Sequence, residues 1–319
     1  MMRLFGLYGD GAHELVETLG LIASGITFDK WEPLLPLGIR DVAAITGRAP
    51  VEALAAYYAG ECPDGCEPEA MDTALRCLQQ AVAFFTWLKI IPTLDAQHDD
   101  TGRSRRLGEN EKGLTALQEF KDERNILRLA YEAADALVET MERHAFPFWT
   151  GSERRRRLSG LLIRSKEEFD RYYVIGSHRL FFTLLPMMHE VQGADVAPVL
   201  TRAFLEKIIG GDDWAPAEIL RDSAARALAL LTMRKAVERL PVEVLPEGVV
   251  QVNEAQPVRQ RLRAEREARD AVAASLARDA QRALDILADD VARLIAEANG
   301  TEADIYVPGP IVHSKGMTF

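Results

Sequence analysis

The sequence contains few cysteines and no apolar run long enough to cross a membrane. Its three cysteines, Cys62, Cys66 and Cys77, are too few and too clustered for a disulfide framework. No stretch approaches the roughly 20 apolar residues that a membrane-spanning helix needs. Residues 1–10 carry a single arginine and a short apolar patch, without a secretory signal core. These absences predict a chain that is made in the cytoplasm and has no membrane contact.

Positive charge is also in short supply. The chain has 38 Lys and Arg against 49 Asp and Glu, a net charge of −11. Because binding to phosphates requires a surplus of Lys and Arg, this balance argues against a protein that binds nucleic acid over its whole surface. Hydrophobic residues make up 48% and charged residues 27% of the 319 residues, which is an ordinary globular balance for about two domains.

The motifs of common catalytic and metal sites are missing from the sequence. It has no GxGxxG, GxxxxGK[ST] or GxSxG. Cys62 and Cys66 have a spacing seen in zinc sites, but no second pair completes a tetrahedron. Position 193, four residues after His189, holds glycine where a metalloprotease needs its second histidine. We therefore predict no metal, no cofactor and no catalytic residue, and expect a protein that is not an enzyme.

Helical periodicity and an internal repeat dominate what is present. Leu34-Leu35-Pro36 recurs as Leu184-Leu185-Pro186, 150 residues later, and Pro92 recurs as Pro241, 149 residues later. Two landmarks at nearly one offset predict a duplicated module. The long Ala- and Leu-rich stretches without helix breakers predict a mainly α fold.

The repeat predicts two tandem helical modules, each with a short strand and a hairpin and each followed by a long helix. The short strands are expected at residues 3–8 and 158–163, an exposed hairpin or loop at 93–110, and a hairpin at 242–252. The predicted organisation is a first module at 1–110, a linking helix at 111–150, a second module at 151–253, a C-terminal helix at 254–298 and an extended arm at 299–319.

Two kinds of segment are candidate interaction surfaces. The basic candidates are Arg154, Arg155, Arg156 and Arg157, followed by Arg103, Arg105 and Arg106. These runs are consistent with a solvated turn or with a contact to nucleic acid or an acidic partner. The arm is apolar, β-branched and broken by proline, which predicts docking elsewhere, for example on a neighbouring chain by strand addition. Its candidate contact residues are Ile305, Tyr306, Val307, Ile311 and Val312.

The order of these elements resembles a known family. A short strand, a small helix, Phe28–Trp31 followed by Leu34-Leu35-Pro36, a glycine-ended helix and a long helix with a hairpin resemble the module of head–tail connector (adaptor) proteins of tailed phages. The doubled form, with Phe146–Trp149 and Glu168–Asp170 between the copies, resembles an uncharacterised phage and prophage structural family of Bacteroidetes-type viruses. The resemblance spans about residues 3–298. Connectors are often shorter and single-module, so one chain can correspond to one ring position or to two.

The resemblance implies a structural protein of the virion neck, made in the cytoplasm of the host bacterium. Such a protein forms a homo-oligomeric ring between portal and tail, binds the portal protein and tail or neck proteins, and surrounds a channel through which DNA passes without specific contacts. Another tail or baseplate protein, such as a tail terminator or completion protein, is the alternative. An enzyme stays open if the fold gathers distant Asp, Glu and His residues in a deep pocket.

Overall fold

The computed structural model describes residues 2–20, 27–94, 96–99, 102–105, 115–211, 216–240 and 266–299. These residues are mainly helical, as predicted, and belong to two compact units. The described residues of the first unit lie within 2–157 and 177–182, and those of the second within 158–176, 183–240 and 266–299.

The first unit contains a pair of long helices and a hairpin of strands. Its elements are α1 (Gly11–Leu19), a 3₁₀ turn (Phe28–Lys30), α2 (Leu35–Thr46), α3 (Arg48–Tyr58), α4 (Pro68–Leu94), β1 (Ala96–Asp99), β2 (Gly102–Arg105), α5 (Ala116–Arg143), α6 (Pro147–Thr150) and most of α7 (Glu153–Leu158). β1 and β2 pair antiparallel, with Ala96 opposite Arg105. This pair confirms the hairpin predicted within residues 93–110.

The second unit again contains a pair of long helices. Its elements are α8 (Lys166–Asp170), α9 (His178–Val191, of which residues to Phe182 belong to the first unit), a π-helical turn (Gln192–Val196), α10 (Ala197–Leu200), α11 (Arg202–Gly210), α12 (Ala217–Arg239) and α13 (Arg266–Asn299). The hairpin predicted at 242–252 and the arm from residue 300 onward lie outside the described residues.

Short polar side chains start several of these helices. Asp10 accepts the main-chain N–H of Ala12 at 3.0 Å and starts α1, which ends at Gly20 in the left-handed conformation. Thr115 and Gln118 form a reciprocal capping box at α5. Ser165 accepts the N–H of Glu168 at 3.2 Å, while the Glu168 carboxylate reaches one residue further than a capping box requires and accepts the N–H of Arg164.

The predicted short strands at 3–8 and 158–163 are wrong, because these segments are bends and turns. Their apolar side chains are nevertheless buried, including Leu4 and Leu162. In both segments, side chains form the hydrogen bonds to main-chain groups that a neighbouring strand would have formed. Gln79 donates to the carbonyl of Leu4 at 2.7 Å, and Gln192 accepts the N–H of Leu162 at 2.8 Å.

The core of the first unit surrounds α4, which packs against α1, α2, α3 and α5. Trp31 is buried and stacks on Trp87 of α4, with ring centroids 5.5 Å apart. Gly38 of α2 faces α4 so closely that a Cβ atom there would lie 2.2 Å from the Thr86 hydroxyl oxygen. The absence of a side chain at residue 38 therefore sets the approach of the two helices.

The core of the second unit lies mainly between α12 and α13. At the surface, the carboxylate of Glu190 accepts two hydrogen bonds from Arg239, at 2.6 and 3.0 Å, and one from Lys235 at 2.9 Å. These hydrogen bonds lower the pKa of Glu190 to about 2. They attach the end of α9 to the end of α12.

The two units contain equivalent pairs of long helices. The buried face of α5 recurs in α13 at a constant separation of 150 residues, in the pairs Ile126 and Leu276, Ala130 and Ala280, Ala133 and Ala283, Leu137 and Leu287, and Met141 and Val291. Residues 81–86 of α4 and 227–232 of α12, 146 residues apart, are all buried, and a threonine stands last in each set. The helix pair therefore repeats at many corresponding positions of its buried faces.

Candidate interaction surfaces

An open groove lies beside the N-terminal segment of the first unit. Its empty volume is about 490 Å³, part of which is open to solvent. Arg3 and Glu32 are the two charged residues that line it, and both are exposed. The Gly6 main chain and seven apolar residues complete the lining: Met2, Leu4, Phe5, Phe28, Leu35, Pro36 and Ile39.

Glu14 of α1 holds the N-terminal segment in place. Its carboxylate accepts the N–H of Gly6 at 3.0 Å and the hydroxyl of Tyr58 at 2.9 and 3.0 Å. The same Tyr58 oxygen accepts the N–H of Leu7 at 3.2 Å. Burial, helped by the hydrogen bond to Glu14, raises the pKa of Tyr58 to about 12, so this hydroxyl remains a donor at neutral pH. These bonds fix one wall of the groove.

Phe28 forms the opposite side of the groove and requires a glycine next to it. A Cβ atom on Gly11 would lie 2.5 Å from the edge of the Phe28 ring. Gly6, at φ 72°, has the left-handed conformation and also faces this ring. The two glycines let the chain close around Phe28, whose side chain also lines the groove.

The predicted basic run occupies α7, and its side chains divide between internal and exposed positions. Arg154 is half-buried, donates to the carbonyl of Ala44 at 2.8 Å and lies 4.8 Å from the centroid of the Phe182 ring. Burial, with the nearby charge of Arg157, lowers its pKa. Arg155 pairs with Glu142 at 3.2 Å. Arg154 and Arg155 therefore bind other parts of the first unit.

The other two arginines of the run are exposed. Arg157 donates to Glu153 of the same helix at 2.5 Å, and Arg156 lies beside it at the surface. An exposed i,i+4 ion pair of this kind is worth about 0.3–0.5 kcal/mol. Of the four predicted arginines, these two are the exposed ones.

A cluster of titratable residues lies at the start of α9, within the first unit. Asp135 of α5 accepts the N–H of His178 at 2.9 Å, and Glu139, one turn further along α5, lies 3.9 Å from the His178 ring. Burial, reinforced by the charge of Glu139, raises the pKa of Asp135 to about 6, although hydrogen bonds from the main chain of His178 and Arg179 and from Ser177 act against it. A carboxylate at this place stabilises the positive end of a helix dipole.

The arrangement brings Asp, Glu and His together, as an enzyme would require, but Asp135 makes the contacts of a helix cap. In the described residues, no group of three or more His, Cys, Asp or Glu side chains that could hold a metal ion was found.

Comparison with known proteins gives one family. The model of a family of unknown function, DUF6712, matches residues 55–158 and 196–292, which together are more than half of the chain. The chain belongs to this family. No curated protein and no solved structure matches it significantly.

The two segments matched by DUF6712 correspond to the repeated helix pairs. The first segment contains α4 and α5 in full, and the second contains α12 and most of α13. Arg154–Arg157 and Asp135 lie inside the first segment. The groove-lining residues 2–39 lie outside both segments. The family model therefore matches the two repeated helix pairs and does not include the residues that line the groove.

The remaining predicted contact residues lie either in β2 or outside the described residues. Arg103 and Arg105 lie in β2. Arg106 and the arm residues Ile305, Tyr306, Val307, Ile311 and Val312 lie outside the described residues.

Cys62, Cys66 and Cys77 are free thiols, and burial raises the pKa of Cys77 and Cys66. Among the described helices, none combines the length and the apolar character that a membrane span needs.

Sequence reasoning missed the groove and the Asp135 cluster. The lining of the groove comes from residues 2–6 and from residues 28–39, so no contiguous motif marks it. Asp135 is one acidic residue among many on an amphipathic helix. The apolar Met2, Leu4, Phe5 and Leu7 in a segment rich in glycine were the available signal for a surface at the N-terminal segment.

Proposed function

We propose that the chain is a structural protein of a tailed phage or prophage, a head–tail connector that forms a ring between portal and tail around the DNA channel. The observation that carries the proposal is the tandem repeat of one helix pair, with matching buried faces in α5 and α13. A chain with two copies of one packed helix pair suits a structural subunit that is repeated around a ring.

Charge supports a role next to moving DNA. A net charge of −11 repels phosphates, so a channel lined by such a protein does not hold DNA by its backbone. The exposed Arg156 and Arg157 are then local contacts to an acidic surface of portal or of a neighbouring copy. The protein would act in the virion neck after synthesis in the host cytoplasm, and the proposal assigns it no catalytic step.

Assembly with portal tests the proposal. The purified chain is mixed with the portal protein encoded by the same genome, and the mixture is examined by negative-stain electron microscopy and by light scattering after size exclusion. We expect rings with an open channel that bind one end of portal. A chain that stays monomeric and never joins portal contradicts the proposal. Binding to a tail protein without binding to portal identifies it as a different tail component.

A further inference from the structure

The N-terminal segment exposes an unusual amount of apolar surface. Met2, Leu7 and Tyr8 are 36%, 37% and 70% exposed, and all three lie within seven residues of the chain. Met2 is one of the residues that line the open groove, together with Leu35 and Ile39 of α2. Apolar surface that is concentrated in this way marks a place where a protein binds a partner.

The form of the groove defines the chemistry of its ligand. The segment at residues 2–9 is not helical, and no strand pairs with it in the part of the chain that the structure describes. Main-chain groups of Leu4, Gly6 and Leu7 are already bonded to side chains, so an extended peptide would bind by placing its apolar side chains in the groove. Because the rim carries both Arg3 and Glu32, the best ligand has an apolar centre with an acidic residue on one side and a basic residue on the other.

The chain itself contains a sequence of this kind, beyond the end of α13 at Asn299. Residues 305–312 are apolar apart from one glycine, Glu302 and Asp304 precede them, and His313 and Lys315 follow them. Residues 300–319 lie outside the described residues. At about 3.3–3.6 Å per residue, a segment of this length reaches up to roughly 70 Å when extended, which is ample to contact another copy of the chain.

We infer that residues 302–315 of one copy bind in the N-terminal groove of a second copy. Ile305 and Val307 fill the groove against Phe28 and Leu35, and Asp304 lies near Arg3. The inference rests on the proposed function and deepens it, because it names the contact that joins neighbouring copies. Donor segment and acceptor groove are different surfaces, so each copy can give one contact and receive another. A head-to-tail contact of this type generates a ring when its rotation closes.

A peptide-binding experiment with charge exchange tests the contact. The probe is a fluorescent peptide of residues 300–316, titrated with the full chain carrying Ile305→Asp and Val307→Asp, so that its own segment does not compete. Anisotropy should show saturable binding. Arg3→Glu in the chain should weaken binding about tenfold, since reversal of a rim charge replaces attraction by repulsion. A peptide with Asp304→Lys should restore binding to the Arg3→Glu chain.

Two controls separate the specific contact from general stickiness. Lys121→Glu reverses an exposed charge on α5 that does not line the groove, so it should leave peptide binding unchanged. A peptide of the same composition in scrambled order should not bind. Equal binding of both peptides, no binding of either, or equal loss with Arg3→Glu and Lys121→Glu would overturn the inference.

Sedimentation of the full chain distinguishes failure of the inference from failure of the proposed function. If rings form and persist after deletion of residues 300–319, the groove contact is wrong and the connector proposal stands. If the peptide binds as expected while the chain never joins portal, the contact stands and the connector proposal fails. If assembly is lost with Arg3→Glu and recovered with Arg3→Glu and Asp304→Lys together, the contact joins the copies.

Discussion

Thr201, in the second unit, adopts a strained backbone conformation. Gly47, in the first unit, adopts a similar conformation without strain because it has no side chain. Gly47 links α2 to α3 with φ 91° and ψ 165°, and Thr201 links α10 to α11 with φ 67° and ψ 147°. Residues with a Cβ atom rarely adopt this region, and the strain costs of order 1–3 kcal/mol. These two junctions therefore differ in cost although their backbone geometry is similar.

Replacing Thr201 by glycine should stabilise the protein. We expect Thr201→Gly to raise the free energy of unfolding by about 1 kcal/mol, because relief of strain exceeds the added freedom of glycine in the unfolded chain. Urea unfolding followed by circular dichroism measures the change. Gly47→Ala is the matched control and should destabilise by a similar amount. A loss of stability in Thr201→Gly would show that the threonine side chain makes a contribution larger than its strain.

Asp135 should make the stability of the protein fall as pH rises. Its pKa is raised from 3.8 to about 6 in the folded chain, so the folded state holds a proton that the unfolded state releases. The stabilisation is fully present below about pH 4 and is lost as pH rises through about 6. Asp135→Asn keeps an oxygen for the N–H of His178 and removes the titration.

The pH profile of Asp135→Asn checks this account. Relative to the variant, the unmodified chain should lose up to about 3 kcal/mol of unfolding free energy between pH 4 and 7, since one pKa unit corresponds to about 1.4 kcal/mol. Urea unfolding at half-unit steps of pH gives the two profiles. Parallel profiles would mean that Asp135 has an ordinary pKa and that another group dominates this range.

At the scale of elements, helix packing in the first unit depends on the absence of a side chain at residue 38. A Cβ atom there would lie 2.2 Å from the Thr86 hydroxyl and 2.7 Å from the carbonyl oxygen of Val82, which the helix backbone holds in place. Gly38→Ala should therefore cost about 1–3 kcal/mol, because α2 and α4 must move apart. Thermal and urea unfolding measure the loss. Gly9→Ala, which meets nothing within 4 Å, should be close to neutral.

The long helices were predictable from the sequence because their periodicity and their ends are local signals. The buried segments at 3–8 and 158–163 were not, because an apolar run of this length fits a strand equally well. What decided them are the amides of Gln79 and Gln192, which lie far away in sequence and bind the main chain of these segments. The π-helical turn that begins at Gln192 gives no local pattern either.

The groove likewise could not be predicted from local sequence patterns. Composition and motifs predicted interaction surfaces in the arginine run and in the arm, and the structure uses Arg154 and Arg155 within the first unit instead. The groove depends on Gly11 and Gly6, which admit the Phe28 ring. Such a steric requirement appears only when distant segments are in contact, so spacing along the chain carries no trace of it.

At the scale of the whole molecule, the duplication gives each compact unit its own helix pair and its own buried core. Unit one is organised on α4 and α5, and unit two on α12 and α13. A substitution in one core should then act on the amides of that unit, because local opening reports the stability of the cooperative segment in which it occurs. Gly38→Ala and Thr201→Gly provide a pair of changes with opposite sign, one in each unit.

Hydrogen exchange measured by mass spectrometry tests this independence. With a loss of about 2 kcal/mol, Gly38→Ala should speed the slowest amides of α2 and α4 by about thirtyfold and leave those of α12 and α13 unchanged. Thr201→Gly should slow exchange in α11 and α12 and leave α4 as it was. Equal changes in both units would show that the two units unfold as a single cooperative structure. The repeated helix pairs would then have no separate stabilities. Changes confined to one unit would mean that each copy of the module is stable around its own helix pair.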